Sequence, residues 1–331
     1  MEKLRIALIG CGEQGAGTLL PCTLATPEAT VTAVCDMDRA RAQAVAEQWH
    51  IPAWFDDVAA LLRAQVADAL ILATSPQGHV SILQEVLPKG LPVFVEKPAA
   101  VSLSALQPLL GLAPADSVTQ VGHNLRFAPA ILQLERALRS EQFGAPLLFS
   151  ARYLASWPRG PRWGLEPLRA FLLTHFIHLV DLVTHLFGEC VRVTPSTRME
   201  PRSGAITVQL ALTFADGLQA HLEATNAAPR FFLEMMAVGS GNVMARAIGL
   251  RRVEILAATD RERARVWEPG QFDGAHHLGG YRGEVESFVR CVRTLQPATP
   301  ALDTARGVFA ILQAIEDQAA VAYPDSKGGA A

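Results

Sequence analysis

The sequence predicts an α/β protein with a doubly wound parallel sheet in its first part and an α+β domain with a mostly antiparallel sheet in its second. In the first 123 residues, short apolar runs rich in β-branched residues alternate with helical patterns about a dozen residues long. Such alternation requires crossover connections between parallel strands. Beyond that point strand candidates follow one another, which indicates antiparallel pairing. We therefore predict two domains, 1–123 and 124–331.

The predicted elements of the first domain are short and regularly spaced. Strands are expected at Arg5–Ile9, Val31–Cys35, Ala69–Ala73, Val93–Val95 and Ser117–Val121. Helices are expected at Gly15–Thr26, Asp38–His50, Asp57–Gln65, Gly78–Lys89 and Ser102–Ala113. Several of the strands are apolar throughout, as is expected when helices cover both faces of a sheet.

The second domain begins with an amphipathic helix at Pro129–Arg139, which a Gly144-Ala145-Pro146 turn connects to a strand at Leu147–Leu154. A histidine-rich helix follows, and then a series of strands in which Asp216-Gly217 forms a hairpin turn. These strands are expected at Val191–Thr197, Ala205–Phe214, Leu218–Thr225, Phe231–Val238 and Val253–Ala257. Two helices close the chain, at Gly283–Leu295 and Thr304–Ala320.

Composition excludes several classes of protein. The 331-residue chain is 50% hydrophobic and 18% charged with a formal net charge of −3, so we expect a globular protein without a nucleic-acid partner. The most apolar segment, 171–187, contains three His and one Asp, so we expect no membrane span and a cytoplasmic location. The five cysteines lack the spacing of a metal site, which favours reduced thiols and no bound metal.

A glycine-rich turn follows the first predicted strand and opens the first predicted helix. It is formed by Gly10, Cys11, Gly12, Glu13, Gln14 and Gly15, which fit the G-x-G-x-x-G pattern. Gly10 would permit the tight turn, Gly12 the close approach of a pyrophosphate, and Gly15 close helix packing. The helix start offers N–H donors and partial positive charge to phosphates. The turn therefore predicts a dinucleotide site on a Rossmann domain, in preference to a purely structural turn.

Asp36 supports this interpretation, because it ends the second predicted strand 24 residues after Gly12. A carboxylate at this point can accept both ribose hydroxyls of an adenosine and would repel a 2′-phosphate, so NAD is favoured over NADP. Arg39 and Arg41 follow closely and could soften that preference. The alternative role for Asp36 is a helix cap, for which Asp38 is better placed.

Glu96-Lys97-Pro98 follows the fourth predicted strand and therefore lies at the carboxyl edge of the sheet, where ligands bind. The ammonium group of Lys97 could hydrogen-bond a substrate hydroxyl and stabilise an alkoxide as hydride leaves. From these residues alone, a surface lysine at a strand end is the more common interpretation.

Together these motifs resemble the glucose-fructose oxidoreductase/inositol dehydrogenase family (Gfo/Idh/MocA). The residues that carry the resemblance are Gly10–Gly15, Asp36, Thr74-Ser75-Pro76, His79, Glu96-Lys97-Pro98 and the segment from Val121 to Pro129. It continues through Gly144-Ala145-Pro146, the helix around His178, and a closing helix with Glu284 and Phe288, and so covers nearly the whole chain.

The resemblance implies an enzyme that transfers hydride between NAD and a carbinol or carbonyl carbon of a sugar, nucleotide sugar, inositol or related polyol. It implies that Lys97 is the catalytic lysine. It also implies a large open sheet in the second domain, through which relatives form homodimers or homotetramers. The residues expected near the cofactor are Gly10, Cys11, Gly12, Glu13, Gln14, Gly15, Asp36, Arg39, Thr74, Ser75, Pro76, His79, Glu96, Lys97, Asn124, Arg126 and Trp163.

The histidine-rich helix carries a polar stripe on an otherwise apolar surface. At about 100° per residue, Thr174, His178, Asp181 and His185 fall within an arc of roughly 60°, and His175 lies to one side. The stripe could line an active site, bind a metal, or consist of polar groups satisfied in the core. The resemblance favours the first role for His178, as the group that exchanges the hydroxyl proton. The structural role is favoured for Asp181 and His185.

The sequence departs from the family pattern in this helix. Relatives read Asp-x-Gly-x-His, whereas Thr174 and Phe176 stand here at the Asp and Gly positions. A threonine hydroxyl can orient a substrate but cannot take up a proton at neutral pH. Two outcomes therefore stay open. Lys97 and His178, together with Thr174 and His175, suffice for catalysis, or the protein is a catalytically inactive NAD-binding sensor or regulator.

Overall fold

In a computed structural model, residues 2–156, 161–258 and 264–322 are described. The chain divides into two compact units. The first contains the chain up to Phe127 and then Ala275–Arg306, and the second contains Ala128–Gly274 and the chain from Gly307 onward.

The described residues form fourteen strands and eleven α-helices. The strands are β1 (Leu4–Ile9), β2 (Ala29–Cys35), β3 (Ala53–Phe55), β4 (Ala69–Leu72), β5 (Val93–Glu96), β6 (Thr119–Gly122), β7 (Pro146–Leu154), β8 (Cys190–Glu200), β9 (Ala205–Phe214), β10 (Gln219–Thr225), β11 (Phe232–Gly239), β12 (Val243–Ile248), β13 (Arg252–Ala257) and β14 (Arg265–Trp267). The helices are α1 (Leu20–Leu24), α2 (Arg39–Trp49), α3 (Val58–Ala64), α4 (Pro76–Val86), α5 (Leu103–Leu106), α6 (Pro129–Leu138), α7 (Pro167–Phe171), α8 (Ile177–Phe187), α9 (Ala275–Leu278), α10 (Tyr281–Thr294) and α11 (Ala305–Ala322).

The first unit is built on a six-stranded parallel sheet in the order β3-β2-β1-β4-β5-β6. The order reverses at β1, whose neighbours are β2 and β4, and this topological switch point is where doubly wound sheets bind ligands. The predicted Rossmann fold is therefore confirmed. All five predicted strands are present with ends within two residues of those expected, and the short strand β3 was not predicted.

Local sequence accounts for the starts of four helices in this unit and for the end of one. Asp38, Asp57, Ser75 and Ser102 each accept a backbone hydrogen bond at the start of a helix, as good N-cap residues do. The helix predicted at Ser102–Ala113 is shorter, because α5 ends at Leu106 in a 3₁₀ turn that contains Pro108. A proline inside a helix removes a backbone donor, which explains the early end.

The segment Ala275–Arg306 belongs to the first unit, which differs from the predicted division at residue 123. Its helix α10 buries Val285, Phe288 and Val289 in the same core as β1, β2 and β4. The Phe288 ring meets Phe94 of β5 edge to face, with ring centroids 5.9 Å apart. Long-range packing of an amphipathic helix thus decides the boundary, and the strand and helix periodicity could not reveal it.

The second unit contains an eight-stranded sheet in the order β14-β13-β12-β11-β7-β10-β9-β8. Neighbouring strands are antiparallel except for β7 and β10, so the mostly antiparallel sheet is confirmed. Asp216-Gly217 joins β9 to β10 as expected, with Asp216 Oδ1 accepting from the N–H of Leu218 at 3.1 Å. The strands β12 and β14 were not predicted.

Alternate residues of the strands are buried, so that one face of this sheet packs against helices. By length and composition alone the helical stretch 167–187 could cross a membrane, but 72% of its most apolar window is buried in the protein. Such burial is typical of a core helix.

We expect Phe288→Ala to lower the free energy of unfolding by about 3–5 kcal/mol, because a fully buried ring leaves a cavity beside Phe94. Denaturant unfolding monitored by circular dichroism measures the change. Phe272→Ala is the matched control, since Phe272 is 92% exposed and should change stability by less than about 0.5 kcal/mol. Equal effects of the two substitutions would contradict this account of the core.

Candidate active site

In the glycine-rich turn at the end of β1, Gly10 and Gly15 lie close to neighbouring backbone atoms, whereas Gly12 faces open space. Gly10 has a left-handed φ of 102°, and a Cβ there would overlap the carbonyl of Ala73. A Cβ on Gly15 would overlap the carbonyl of Gly10. A Cβ on Gly12 would meet nothing within 4 Å. The turn therefore leaves room at Gly12 for a pyrophosphate, and the residues present fit a dinucleotide.

The carboxylate of Asp36 connects the end of β2 to this turn. Its Oδ2 accepts from the N–H of Cys11 at 2.8 Å, and its Oδ1 accepts from the N–H of Asp38 at 2.9 Å. The guanidinium of Arg41 lies 3.4 Å from Asp36. Arg39 instead lies over the ring of Trp54, 5.0 Å from its centroid. The basic group beside Asp36 is thus Arg41, and Asp38 caps α2 as expected.

Glu96, at the end of β5, is connected to the same turn through Gln14. Gln14 Nε2 donates to Glu96 Oε1 at 2.5 Å, and Glu96 is 4% exposed. Burial raises the pKa of Glu96 to about 7, although the positive charge of Lys97 opposes this increase. The half-buried Lys97 follows at the carboxyl edge of the sheet. The glycine-rich turn and the Glu96-Lys97-Pro98 motif therefore lie at the same edge.

The Thr74-Ser75-Pro76 segment follows β4 at this edge and leads into α4. Ser75 caps α4 by accepting from the N–H of Gly78 at 3.2 Å. His79 is buried, and both of its ring nitrogens form hydrogen bonds within the first unit. Asn124, which follows β6, donates its side-chain N–H to the carbonyl of Gly279 at 2.7 Å. Arg126 is also buried, so both of these predicted residues contribute to the core of the unit.

The second unit holds the histidine-rich stretch, in which a π-helical turn at Leu172–Phe176 lies between α7 and α8. Thr174 is in this turn, and its hydroxyl donates to the carbonyl of Ala170. π-helical turns are frequent at functional sites. The turn also means that a regular helical wheel does not describe the stripe across residues 172–176.

Tyr153 of β7 contacts both histidines. Its ring is stacked on His178 with centroids 5.9 Å apart and an interplanar angle of 7°, and it meets His175 edge to face at 5.5 Å. Phe231 meets the same ring edge to face at 5.2 Å. Burial raises the pKa of Tyr153 to about 12, so its hydroxyl stays protonated at neutral pH. His175 therefore lies with His178 around one ring.

The rest of the stripe is engaged in packing. His185 Nε2 lies 3.3 Å from Glu135 Oε1 of α6, and Asp181 is 3% exposed. Among the residues that the structure describes, no group of three or more His, Cys, Asp or Glu side chains could hold a metal ion.

Trp163 has a left-handed φ of 55°, and the guanidinium of Arg162 lies 4.7 Å from its ring centroid.

Sequence reasoning missed Tyr153. The signal was available in the alternation of β7, because Tyr153 has the same parity as Phe149 and Ala151, which are both buried. A tyrosine on the buried face at the end of a strand needs a polar or aromatic environment for its ring and hydroxyl. That environment is provided by His175 and His178.

The sheet order and the glycine-rich turn, with Asp36 bonded to that turn, define a dinucleotide-binding protein of the Rossmann class. The profile described as "Oxidoreductase family, NAD-binding Rossmann fold" matches residues 4–123, and that of the GFO/IDH/MocA C-terminal domain matches residues 131–243. The chain belongs to the Gfo/Idh/MocA family of oxidoreductases.

Three relatives illustrate the similarity. The YceM protein of Salmonella typhimurium is 30% identical over 66% of this chain and 68% of its own length. D-apiose dehydrogenase of Paraburkholderia graminis is 29% identical over 60% of this chain and 53% of its own length. The scyllo-inositol 2-dehydrogenase (NAD(+)) of Bacillus subtilis is 23% identical over 88% of this chain and 87% of its own length.

Solved structures show the same fold. A dehydrogenase from Chromobacterium violaceum superposes with a TM-score of 0.93 at 30% identity, covering 98% of this chain and 97% of its own. Levoglucosan dehydrogenase in complex with NADH and L-sorbose has a TM-score of 0.86 at 19% identity, covering 97% and 98% of the two chains. At that identity the second similarity concerns the fold alone.

We expect Gly12→Ala to weaken NAD binding at least tenfold without loss of stability, because its methyl group enters the open space beside the turn and meets no protein atom. Calorimetry with NAD and thermal unfolding of the same sample provide the two measurements. Gly17→Ala is the matched control, since a Cβ there also meets nothing within 4 Å, and it should leave NAD affinity unchanged. Full NAD affinity in Gly12→Ala would exclude this turn as the pyrophosphate site.

Proposed function

We propose that the protein is an NAD-dependent dehydrogenase or reductase that acts on a CH–OH group of a sugar, nucleotide sugar, inositol or related polyol. The observation that carries this proposal is the position of Lys97 at the carboxyl edge of the parallel sheet, next to Glu96 and its hydrogen bond to Gln14 of the glycine-rich turn. The names of the relatives support the substrate class, because apiose and scyllo-inositol are both polyhydroxylated.

NAD, when bound, supplies the hydride acceptor at its nicotinamide ring. In our proposal the ammonium group of Lys97 donates a hydrogen bond to the substrate oxygen and stabilises the negative charge that develops there. His178 exchanges the hydroxyl proton near neutral pH. The hydroxyl of Thr174 donates to the carbonyl of Ala170, so its oxygen can accept a hydrogen bond from a substrate hydroxyl and orient it. His175 assists in orienting that substrate hydroxyl.

The residues that we propose to hold the cofactor follow the sheet edge. The glycine-rich turn receives the pyrophosphate and Asp36 the adenosine ribose, with Glu96 and the segment Thr74–Pro76 near the nicotinamide end. We retain Arg39, His79, Asn124, Arg126 and Trp163 as proposed cofactor-site residues, although Asn124, Arg126 and His79 are buried and would act by shaping the site.

We further propose that the protein works in the cytoplasm as a homodimer or homotetramer formed through the sheet of the second unit. The outward face of that sheet supports this proposal, because it carries partly exposed apolar side chains next to ion pairs. Leu148 is 38% exposed and Leu256 37%, while Arg152 pairs with Glu223 at 2.9 Å. Mixed faces of this kind are common at subunit interfaces.

We expect Lys97→Ala to lower kcat by about 10²–10⁴-fold while NAD binding is retained, because an acid–base group of this type contributes a rate factor of that size. The assay follows absorbance of reduced nicotinamide with NAD or NADP and a panel of sugars, inositols and nucleotide sugars. Lys89→Ala is the control, since Lys89 lies before β5 and thus at the other edge of the sheet. Unchanged turnover in Lys97→Ala would refute the assigned role.

Thr174 motivates one alternative, a sensor or regulator of the same fold that binds NAD without turnover. It predicts NAD binding by calorimetry and no change of reduced-nicotinamide absorbance with any member of the panel. Turnover of one polyol by the wild-type protein would eliminate this alternative and identify the substrate class in the same experiment.

We expect Asp36→Ala to shift cofactor preference towards NADP by about tenfold or more. The substitution removes the carboxylate that would repel a 2′-phosphate and leaves Arg41 available to it. Calorimetry with NAD and NADP gives the ratio of affinities. Asp38→Ala, which removes the other carboxylate paired with Arg41, should keep the preference for NAD. An unchanged ratio in Asp36→Ala would contradict the assignment.

A further inference from the structure

His79 lies in the first turn of α4 and is 1% exposed. Its Nε2 accepts a hydrogen bond from the backbone N–H of Thr74 at 3.0 Å, and its Nδ1 lies 3.0 Å from the carbonyl oxygen of Pro98. A carbonyl oxygen only accepts, so Nδ1 must carry the proton. The contacts therefore define one neutral tautomer, with the hydrogen on Nδ1.

The two partners of His79 belong to neighbouring loops at the carboxyl edge of the first sheet. Thr74 follows β4, and Pro98 follows β5 directly after Lys97. β4 and β5 are adjacent and parallel, so both loops emerge at the same edge. The β4 loop also contacts the glycine-rich turn, because Gly10 approaches the carbonyl of Ala73 too closely for a Cβ. The side chain of His79 thus connects the loop after β5, which contains Lys97, with the loop after β4, which contacts the glycine-rich turn.

We propose that His79 is a positioning residue that fixes the backbone of Lys97 relative to the β4 loop through its two ring hydrogen bonds. This inference rests on the proposed function, because it assigns His79 a role in placing the lysine and the cofactor loop. The neutral ring is essential to the arrangement, since an imidazolium would donate from both nitrogens and would lose the bond from Thr74. Burial lowers the pKa of His79 to about 4, so the ring is neutral at neutral pH.

The two hydrogen bonds can be separated by substitution. In His79→Asn, the side-chain amide can replace Nδ1 as a donor to Pro98, but nothing reaches Thr74. In His79→Gln, the side-chain oxygen can replace Nε2 as an acceptor from Thr74, but no donor lies at the Nδ1 position. His50→Gln is the control, because His50 is an exposed residue at the end of α2.

We expect the two substitutions to affect different properties, the position of Lys97 in one variant and NAD affinity in the other. His79→Gln should displace the Cα of Lys97 in a crystal structure and lower kcat at least tenfold, with NAD affinity within about twofold of the wild type. His79→Asn should keep Lys97 in place and lower kcat less than His79→Gln, but should weaken NAD binding about tenfold because the β4 loop is released. A tenfold change in affinity corresponds to about 1.4 kcal/mol, which is within the cost of one lost buried hydrogen bond.

The crystal structures and NAD calorimetry need no turnover, so they test the positioning role even if no sugar of the panel reacts. Absence of turnover in the wild type would refute the proposed function while leaving these two measurements interpretable. Lys97 in its wild-type place in His79→Gln would overturn the inference. So would equal changes of NAD affinity in the two variants, because a purely structural histidine would not separate them.

Discussion

Polar groups buried at the carboxyl edge of the parallel sheet must find hydrogen-bond partners, and the arrangement of the first unit depends on this constraint. A buried polar atom without a partner costs several kcal/mol by order of magnitude. Asp36, Glu96 and His79 lie below 8% exposure, and each bonds to a loop other than its own. Because these loops follow four different strands, satisfying the side chains also fixes the relative positions of the loops. These hydrogen bonds connect the loops to one another.

In the second unit a different device orders the polar groups. The stretch around His178 is almost entirely buried, and aromatic contacts surround its imidazoles. Tyr153 contacts both histidines, while Phe171 is stacked on His175 at 5.6 Å. The hydroxyl of Thr174 donates a hydrogen bond to the carbonyl of Ala170 in the same helical stretch.

The sequence was sufficient for features that are local. Apolar runs located five of the six strands of the first sheet, G-x-G-x-x-G located the turn, and Asp216-Gly217 located a hairpin. The sequence analysis missed features that depend on irregular backbone or on contacts between residues far apart in the chain. α10 joins the first core through Phe288, a π-helical turn interrupts the helical period at Thr174, and Tyr153 acquires its neighbours from another element. The partners of Asp36 and His79 are likewise backbone groups, which carry no residue-specific signal.

The discontinuity of the first unit has a consequence for biosynthesis. Domains usually fold from the N-terminus as they leave the ribosome. Here Phe288 packs against Phe94, so the Rossmann unit can complete its packing only after α10 has been translated. The larger part of the second unit, Ala128–Gly274, is synthesised before this segment and includes β7 with its neighbours β10 and β11. Until α10 has been translated, the apolar surface around Phe94 therefore lacks the side chain that packs against it in the folded protein.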